Sequence, residues 1–410
     1  MGRVRTKRLA LVAFILCFYA LPLLSWTPSC ILVYLTWDQD PSTTMHVHWI
    51  SPPCKEKACQ VYYTTDVSKE WTSKDAVSQG LPNSGYILHH AELTGLQADS
   101  IYSFRLGDYA EVFRFRTMPA TLSRPVRFVE GGDYYHNSIS LAEPITQQMA
   151  SQDPDFAIWG GDIAYSCSPF TFISEKSRRW LRLLNMWQKT MVRSDGCLVP
   201  IVAVIGNHDV VGRYDQPPSN AVFFYALFCP GKDRCYRTLD FGDYLSLFLL
   251  DSGHTADIAG AQRTWLEEQL TSRPQVPHRF AAYHVPAYPS VRELDAKKSP
   301  DIRQHWVPLF EQYRLPIAFE HHDHAYKRTH PIRDGKVDQS GVVYLGDGAL
   351  GCKPRGSAKN LERWYIAEFE VQRHFILADL QPKERSLSMI NEKGEQMHRY
   401  EQQVAPVTTP

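Results

Sequence analysis

Five short polar stretches contain the side chains of this sequence that are best suited to bind metal ions. Each follows a run of β-prone apolar residues: GGDYY at 131–135, GGDIAY at 160–165, GNHD at 206–209, YHVPAY at 283–288 and EHHDHAY at 320–326. The carboxyl ends of parallel strands meet at one edge of a sheet, and ligands gather there. Aspartate, asparagine, histidine and tyrosine delivered to such an edge predict a site for two metal ions.

Asp162 is the residue best suited to bridge the two cations. In two-metal sites a bridging oxygen holds the ions roughly 3.5 to 4 Å apart and offsets their repulsion. Gly160 and Gly161 precede Asp162 and allow the backbone to turn sharply as the strand ends. Asp133 also follows a Gly-Gly pair and supplies a second carboxylate.

The other candidate ligands are one amide and three imidazoles. Asn207 offers a carbonyl oxygen, and His284, His322 and His324 offer nitrogens that suit iron, zinc or manganese. His322 and His324 are two residues apart, so in an extended segment both side chains lie on the same side. Each residue alone is weak evidence, but five strand ends with compatible ligands indicate one site.

Tyr165 narrows the choice of metal. A phenol has a pKa of about 10 and is a poor ligand while it is protonated. A trivalent iron would remove that proton. Tyr165, three residues after Asp162, therefore favours Fe3+ at one metal position. The identity of the metal ion at the other position is less restricted.

The elements that position these residues are expected in two domains. The chain has 410 residues, more than the roughly 250 to 300 residues at which single cores stop growing. From 30 to 118, short strands separated by turn residues predict an all-β sandwich. From 124 to 400, buried strands alternate with helical segments such as 174–191 and 301–313, which predicts an α/β domain. Residues 401–410 are expected to form a tail.

The amino terminus has the order of an export signal. Four basic residues between positions 3 and 8 precede an uncharged apolar run from 9 to 26. We therefore assign 1–29 to targeting and expect an exported protein, whether periplasmic, secreted or anchored facing outward. The run of about 18 residues approaches the length of a membrane span. Cleavage of the segment and membrane association through residues 9–26 are therefore both open.

Charge and cysteine content restrict the partners and the compartment. The 44 lysines and arginines balance 44 aspartates and glutamates, so no basic surface suggests nucleic acid as a partner. Nine cysteines fit export, because disulfides persist outside the cytosol. Cys54 with Cys59, and Cys229 with Cys235, bracket short loops. Each pair is expected either to form a local disulfide or to remain as free thiols.

The motifs resemble a known enzyme family. GDIAY, GNHD and HHDHAY in that order, with GGD before them and YHVP between, look like the purple acid phosphatase branch of the calcineurin-like metallophosphoesterases. The strands before 118, including HHAELTGLQADSIYSFRLG and FRFRT, are similar to the fibronectin-III-like domain of its two-domain members. The resemblance implies a catalytic domain of two β-sheets flanked by helices.

The resemblance also implies roles for individual residues. An Fe3+ position would be held by Asp133, Asp162, Tyr165 and His324. A divalent position, for Fe2+, Zn2+ or Mn2+, would be held by Asp162, Asn207, His284 and His322. His208 matches the histidine that contacts the substrate phosphate, beside Asn207, and Asp209 would orient it.

This chain departs from the family pattern around the ligands. Tyr135 stands where a small residue is usual, and the following His136 is an alternative ligand. His321 replaces the usual glycine and is expected to contact the phosphate or to face solvent. Lys327 stands at a position that is usually acidic. After His284, Arg292 is the candidate substrate contact in place of the family's further histidines.

The implied reaction is hydrolysis of a small phosphate monoester by a metal-activated hydroxide that attacks phosphorus in line. A phosphodiesterase or nucleotide pyrophosphatase of the same superfamily is the first alternative, since it would share the metals. The second is an exported binding or adhesion module that uses the sandwich. The complete ligand set opposes the second alternative, because a degenerate site is expected to have lost at least one ligand.

Overall fold

A computed structural model describes residues 31–53, 59–167, 175–346 and 348–404. The predicted export segment lies outside these residues, as does Cys54, one half of a predicted disulfide. Within the described ranges, no helix is both long and apolar enough to cross a membrane.

The first domain is a sandwich of two antiparallel four-stranded sheets, with strand orders β1-β2-β6-β5 and β4-β3-β7-β8. Its strands are β1 (Leu32–Thr36), β2 (Met45–Ser51), β3 (Gln60–Thr64), β4 (Thr72–Asp75), β5 (Val77–Gly80), β6 (Ile87–Leu93), β7 (Ile101–Leu106) and β8 (Phe113–Arg116). Alternate side chains of β1, Val33 and Leu35, join the core that includes Phe104 of the other sheet. The intervening Leu32 and Tyr34 pack with residues of the second domain.

The second domain contains a six-stranded sheet, β11-β10-β9-β21-β22-β23, a seven-stranded sheet, β12-β13-β14-β15-β19-β16-β20, and a hairpin, β17-β18. Its strands are β9 (Val126–Gly131), β10 (Phe156–Gly160), β11 (Ile201–Val204), β12 (Arg237–Phe241), β13 (Leu245–Leu249), β14 (His278–Ala282), β15 (Ile317–Glu320), β16 (Tyr326–Thr329), β17 (Ile332–Arg333), β18 (Lys336–Val337), β19 (Val343–Gly346), β20 (Ile366–Glu370), β21 (His374–Gln381), β22 (Glu384–Asn391) and β23 (Gln396–Gln403).

Helices cover the outer faces of both sheets. They are α1 (Ile139–Ser151), α2 (Ser177–Thr190), α3 (Val222–Phe228), α4 (Ala261–Thr271), α5 (Ser299–His305) and α6 (Val307–Gln312), with short 3-10 helices at Pro218–Asn220 and Ala358–Glu362. The helix predicted over 301–313 is two helices, because Pro308 has no N–H for the ladder at the start of α6.

Alternation along β10 shows how the layers are built. Phe156 and Ile158 belong to the core between the two sheets, with Phe280 and Phe319 of the opposite sheet. Ala157 and Trp159 belong instead to the core under α1 and α2. A strand buried on both faces has no polar alternation, which is why its sequence is a continuous apolar run. The predicted α/β domain of two sheets flanked by helices, preceded by a β-sandwich, is confirmed.

One expectation about a chain segment is corrected, and one choice between alternatives for the cysteines is decided. The last strand, β23, extends to Gln403, so the segment expected to be a tail from 401 is still paired with β22 at its start. Cys229 and Cys235 are buried free thiols and form no disulfide. Cys235 Sγ lies 3.5 Å from Asp251 Oδ2, and Cys229 Sγ lies 3.8 Å from Arg237 Nη1, so both thiols contact polar groups.

Candidate metal centre

Parallel pairing brings the five polar stretches to neighbouring strand ends. β9, β10 and β11 are parallel neighbours in the first sheet, and β14 and β15 are parallel neighbours in the second. Asp133, Asp162 and Asn207 follow β9, β10 and β11, while His284 follows β14 and His322 follows β15. The carboxyl edges of both sheets thus supply the ligands.

Backbone hydrogen bonds fix these loops to one another. Asp133 N–H donates to Gly161 O at 3.0 Å and Tyr134 N–H donates to Asp162 O at 3.0 Å. His321 N–H donates to His284 O, also at 3.0 Å. At Gly206 a Cβ would lie only 2.0 Å from Asp162 N. Only glycine allows this approach, so the loops that carry ligands are held at fixed separation.

Five of the candidate ligand residues also share an unusual backbone conformation, with positive φ. Asp133, Asp162, Tyr165, His322 and His324 have φ of 56°, 49°, 47°, 78° and 63°. This left-handed region is uncommon for residues other than glycine and is unfavourable for bulky side chains. Five such residues at one place mark a site where surrounding contacts impose a functional geometry.

One group of donors is formed by Asp162, His284 and His322. His284 Nε2 lies 3.4 Å from Asp162 Oδ1 and 3.1 Å from His322 Nδ1. All three residues are buried, and their ligand atoms lie within 4.8 Å of one another, a spacing that a single metal ion could bridge. Asn207 belongs to the same side of the site, because Tyr214 Oη contacts both Asn207 Oδ1 at 3.4 Å and His322 Nε2 at 3.5 Å.

A second group is formed by Asp133, Tyr165 and His324. His324 Nε2 lies 2.8 Å from Asp133 Oδ1, and Tyr165 Oη donates to the same oxygen at 2.8 Å. Tyr165 Oη also lies 3.2 Å from His324 Nε2. The structure therefore places the seven residues predicted as metal ligands in two neighbouring groups, and their role as ligands stays a prediction.

The charges of the site favour cation binding. Burial raises the pKa of the Asp162 carboxyl, but His284 and His208 outweigh it and hold that pKa well below its usual range. For His284, burial favours the neutral ring, yet Asp162 raises the pKa to about 9. Burial and Arg292 lower the pKa of His322 well below its usual range, so this ring is neutral, as a metal ligand must be.

The donor set fits metal ions. His284 Nδ1 donates to Gly160 O at 2.9 Å, which directs Nε2 towards Asp162 and His322. A metal ion bound there would replace the Nε2 proton. Metal-binding histidines are commonly oriented by such a hydrogen bond from the other ring nitrogen. Burial and the Asp133 and Asp162 carboxylates raise the pKa of Tyr165 well above its usual range. A phenolate at this position needs a strongly charged cation beside it.

The position of His208 agrees with a substrate contact, but Asp209 does not orient it. His208 Nδ1 donates to Cys167 O at 3.1 Å, and Nε2 lies 4.0 Å from Asp162 Oδ2 at the cavity wall. The buried Asp209 carboxylate accepts instead from the N–H groups of Ile163 and Gly206, each at 3.0 Å. The expected role of Asp209 is therefore wrong: it joins two ligand loops.

His321 neither faces solvent nor lines the cavity where a phosphate would bind, so both expectations for it are wrong. The ring is fully buried. Its Nε2 contacts the Glu130 carboxylate and its Nδ1 donates to Tyr283 O at 2.8 Å. The backbone turns at His322, whose φ is 78°, so His321 points into the core while the adjacent His322 lies at the cavity wall.

Arg292 and the residues after Asp133 do lie at the cavity. Arg292 Nη1 donates to His322 O and to Asp323 Oδ1, both at 2.6 Å, while its side chain lines the cavity wall. His136 lies with its ring 4.7 Å from that of Tyr165 and 6.2 Å from that of His324. Tyr135 is stacked under the Arg179 guanidinium at 4.0 Å.

Two features of the site had not been identified from the sequence. Tyr214 lies in a loop without periodicity or motif, and no sequence signal marks its contact with Asn207 and His322. The other feature is a set of basic residues along the cavity wall, several of them at the start of α2. The spacing of Arg178 and Arg182 on that helix was a visible signal for the second feature.

Comparison with known proteins finds the family that the motifs resemble. The family model for the purple acid phosphatase N-terminal domain matches residues 32–117, and the model for calcineurin-like phosphoesterases matches residues 126–326. The chain is 25% identical over 312 residues to purple acid phosphatase 13 of Arabidopsis thaliana, covering 65% of this chain and 54% of that protein. It is 27% identical over 309 residues to purple acid phosphatase 23 of the same plant, covering 66% and 64%.

The chain spans about half the length of the first curated relatives that it matches. It covers 54% of purple acid phosphatase 13 and 53% of purple acid phosphatase 15. Among solved structures, the purple acid phosphatase from yellow lupin seeds superimposes with a TM-score of 0.71 at 15% identity, covering 90% of this chain and 73% of that one. PhoD superimposes with a TM-score of 0.68 at 13% identity, covering 91% and 90%. Both share the fold of this chain.

Proposed function

This chain belongs to the purple acid phosphatase family of calcineurin-like phosphoesterases, and we propose that it hydrolyses phosphate monoesters at a dinuclear metal centre. The observation that supports this most is that seven buried donors lie in neighbouring loops, in one group that contains Asp162 and another that contains Asp133. Two ions in such a site would supply Lewis-acid polarisation of the phosphate and an activated hydroxide in mild acid.

The ligand sets support a trivalent and a divalent position. Asp133, Tyr165 and His324 would hold Fe3+, since the phenol of Tyr165 ionises only beside a strongly charged cation. Asn207, His284 and His322 would hold a divalent ion, Fe2+, Zn2+ or Mn2+, because imidazole and amide donors suit such ions. Asp162 would bridge both.

The chain's own groups would bind and orient the ester. His208 donates Nδ1–H to Cys167 O, so its Nε2 edge is available to a phosphate oxygen in the cavity. Arg292 is held by Asp323 and offers a fixed positive charge on the same wall. Positioned charges of this kind stabilise the charge that spreads over the equatorial oxygens in the transition state.

The reaction is tested with p-nitrophenyl phosphate and bis(p-nitrophenyl) phosphate on the metal-loaded protein at pH 5 to 6. We expect kcat/KM for the monoester to exceed that for the diester by at least an order of magnitude. A preference for the diester would replace the proposal by a phosphodiesterase of the same fold, and inactivity on both would favour a binding module.

The iron assignment is tested by the visible spectrum. An Fe3+ phenolate gives a charge-transfer band, so we expect a coloured protein whose band is lost in Tyr165→Phe. A colourless, fully metallated and active wild-type protein would refute Fe3+ at this position.

We also infer export from the basic and apolar residues of segment 1–29. The test expresses the full chain with a carboxyl-terminal tag and separates cytosolic, membrane and exported fractions. Recovery in the exported or membrane fraction supports the inference, and the mature amino terminus shows whether the segment is cleaved. Recovery in the cytosol alone would contradict it.

A further inference from the structure

The cavity above the metal centre has a cationic wall that the proposed reaction of a simple monoester does not require. The cavity measures about 1210 Å³. Its described lining contains eight lysine and arginine side chains, whereas the lining carboxyl groups are only those of Asp162, a candidate metal ligand, and Glu175, which is buried. The metals and His208 already suffice for one phosphate group.

The start of α2 carries the densest part of this wall. Lys176, Arg178, Arg179 and Arg182 lie at or near the amino terminus of the helix, and its first turn has no acidic residue. Positive charge at this end opposes the helix dipole. Arg178 and Arg182 are also four residues apart, where like charges repel. The arrangement is unfavourable for the free helix and becomes favourable when an anion binds.

Arg179 fixes the helix to the metal loops. Its Nη2 donates to His136 O at 2.8 Å and to Tyr135 O, and its Nε donates to Ala164 O at 2.5 Å. Tyr135 and Ala164 neighbour the ligand loops of Asp133 and Tyr165. The guanidinium of Arg179 is therefore used internally, and it holds its neighbours on α2 at a constant distance from the centre.

Lys176, Arg178 and Arg182 remain available to a ligand. Within the described ranges none of them has an acidic partner at salt-bridge distance, and Lys176 and Arg178 are exposed to the cavity. Three cations without carboxylate partners in a concave surface form an electrostatic site for a multiply charged anion.

The sandwich domain supports this part of the wall. Ser177 Oγ donates to Asn83 O at 3.2 Å, and Val33 N–H donates to Gln188 Oε1 at 2.8 Å. Asn83 itself lines the cavity. Both ends of α2 are thus attached to the first domain, so the cationic face cannot swing away from the metal centre without breaking contacts between the domains.

We propose that Lys176, Arg178 and Arg182 bind a second phosphate group of the substrate, and that the natural substrates are small molecules with more than one phosphate. This rests on the proposed phosphatase function and names its substrate class. One phosphate would be cleaved at the metal centre while another binds at the start of α2. Arginine suits the second role, because its planar group makes paired hydrogen bonds to phosphate.

The test compares fructose 1,6-bisphosphate with fructose 6-phosphate on the metal-loaded enzyme at about 50 mM salt. We expect kcat/KM to be at least tenfold higher for the bisphosphate. The ratio should fall several-fold in Arg178→Ala and approach one in the Arg178→Ala/Arg182→Ala double variant. It should also fall as salt is raised to about 500 mM, because exposed charges are screened.

Lys189→Ala is the matched control. Lys189 is an exposed cation in the last turn of the same helix and does not line the cavity. Lys189→Ala changes the net charge by the same amount as Arg178→Ala. Because Lys189 lies outside the cavity, the ratio of kcat/KM values for the two sugars should stay at the wild-type value. A ratio near one in the wild type, or an equal loss in Lys189→Ala, would overturn the proposal.

Thermal melting separates this proposal from the phosphatase function. Fructose 1,6-bisphosphate should raise the melting temperature of the wild type by several degrees more than fructose 6-phosphate does, and this difference should vanish in the double variant. If no ester is cleaved, the phosphatase function fails while the melting difference still supports the anion site. Equal shifts by both sugars would refute the anion site even in an active phosphatase.

Discussion

Replacing Lys327 by methionine tests how the last ligand motif is held in place. Lys327 Nζ lies 2.5 Å from Glu320 Oε2, and both side chains are fully buried. Glu320 ends β15, directly before His321 and His322. Methionine keeps the length and apolar stem of lysine but removes the charge, so Glu320 is left buried without its cation.

The other contacts of Glu320 set the magnitude. Its Oε1 accepts from Tyr283 Oη and from Ala287 N–H, each at 2.6 Å, and these two bonds survive the substitution. Removing one partner of a buried ion pair usually costs about 3 to 5 kcal/mol, because the remaining charge is uncompensated. We expect Lys327→Met to lower the free energy of unfolding by about 3 kcal/mol, the lower end of this range, because two donors still face the carboxylate.

Urea unfolding followed by circular dichroism measures this cost, and the double variant Lys327→Met/Glu320→Gln is the control. Glutamine retains the Oε1 acceptor for Tyr283 and Ala287 while it removes the buried charge. We therefore expect the double variant to recover about 2 kcal/mol relative to Lys327→Met. A loss below about 1 kcal/mol in Lys327→Met, or no recovery in the double variant, would refute an ion pair as the support of this motif.

Three further substitutions test other parts of the site. Burial raises the pKa of Glu175 to about 7, so the folded protein binds this proton more tightly than the unfolded chain. Stability should fall by about 3 kcal/mol as the pH rises from about 4.5 to about 7, and urea unfolding of Glu175→Gln should lack that slope. Gly160→Ala would place a Cβ 2.0 Å from His321 Nε2, so we expect a loss of about 1 to 3 kcal/mol in thermal unfolding; Gly85→Ala, with nothing within 4 Å, should be nearly neutral. His208→Ala should keep both metals by elemental analysis while turnover falls by roughly 10², and normal turnover would remove His208 from the reaction.

The sequence predicted the strands that carry the ligands because their signals are local. β10 and β11 are continuous apolar runs followed by polar residues, and burial on both faces produces that pattern. β4 and β5 carry no such signal, because all their residues are exposed. The break between α5 and α6 required attention to Pro308, which interrupts an otherwise helical pattern.

The partners of polar residues were harder to predict than the ligands. His321 bonds to Glu130 across 191 positions of the chain, and Asp209 bonds to Ile163 across 46. Such pairs depend on which strands become neighbours, which no local pattern specifies. The segment after β15 is not extended, because His322 and His324 have left-handed φ, so strand alternation does not explain the positions of these side chains. Tyr214 lies in an irregular loop, so its place beside Asn207 followed only from the folded structure.

Metal analysis of the wild type and of Asp162→Ala tests the dinuclear centre most directly. Asp162 Oδ1 lies 3.4 Å from His284 Nε2 in the first donor set, and the charge of Asp162 helps to raise the pKa of Tyr165 in the second. If Asp162 bridges two ions, the wild type should contain two tightly bound metal ions per chain after gel filtration, and Asp162→Ala should retain at most one and show no turnover. Two tightly bound ions in Asp162→Ala, or a single ion in the active wild type, would contradict the account.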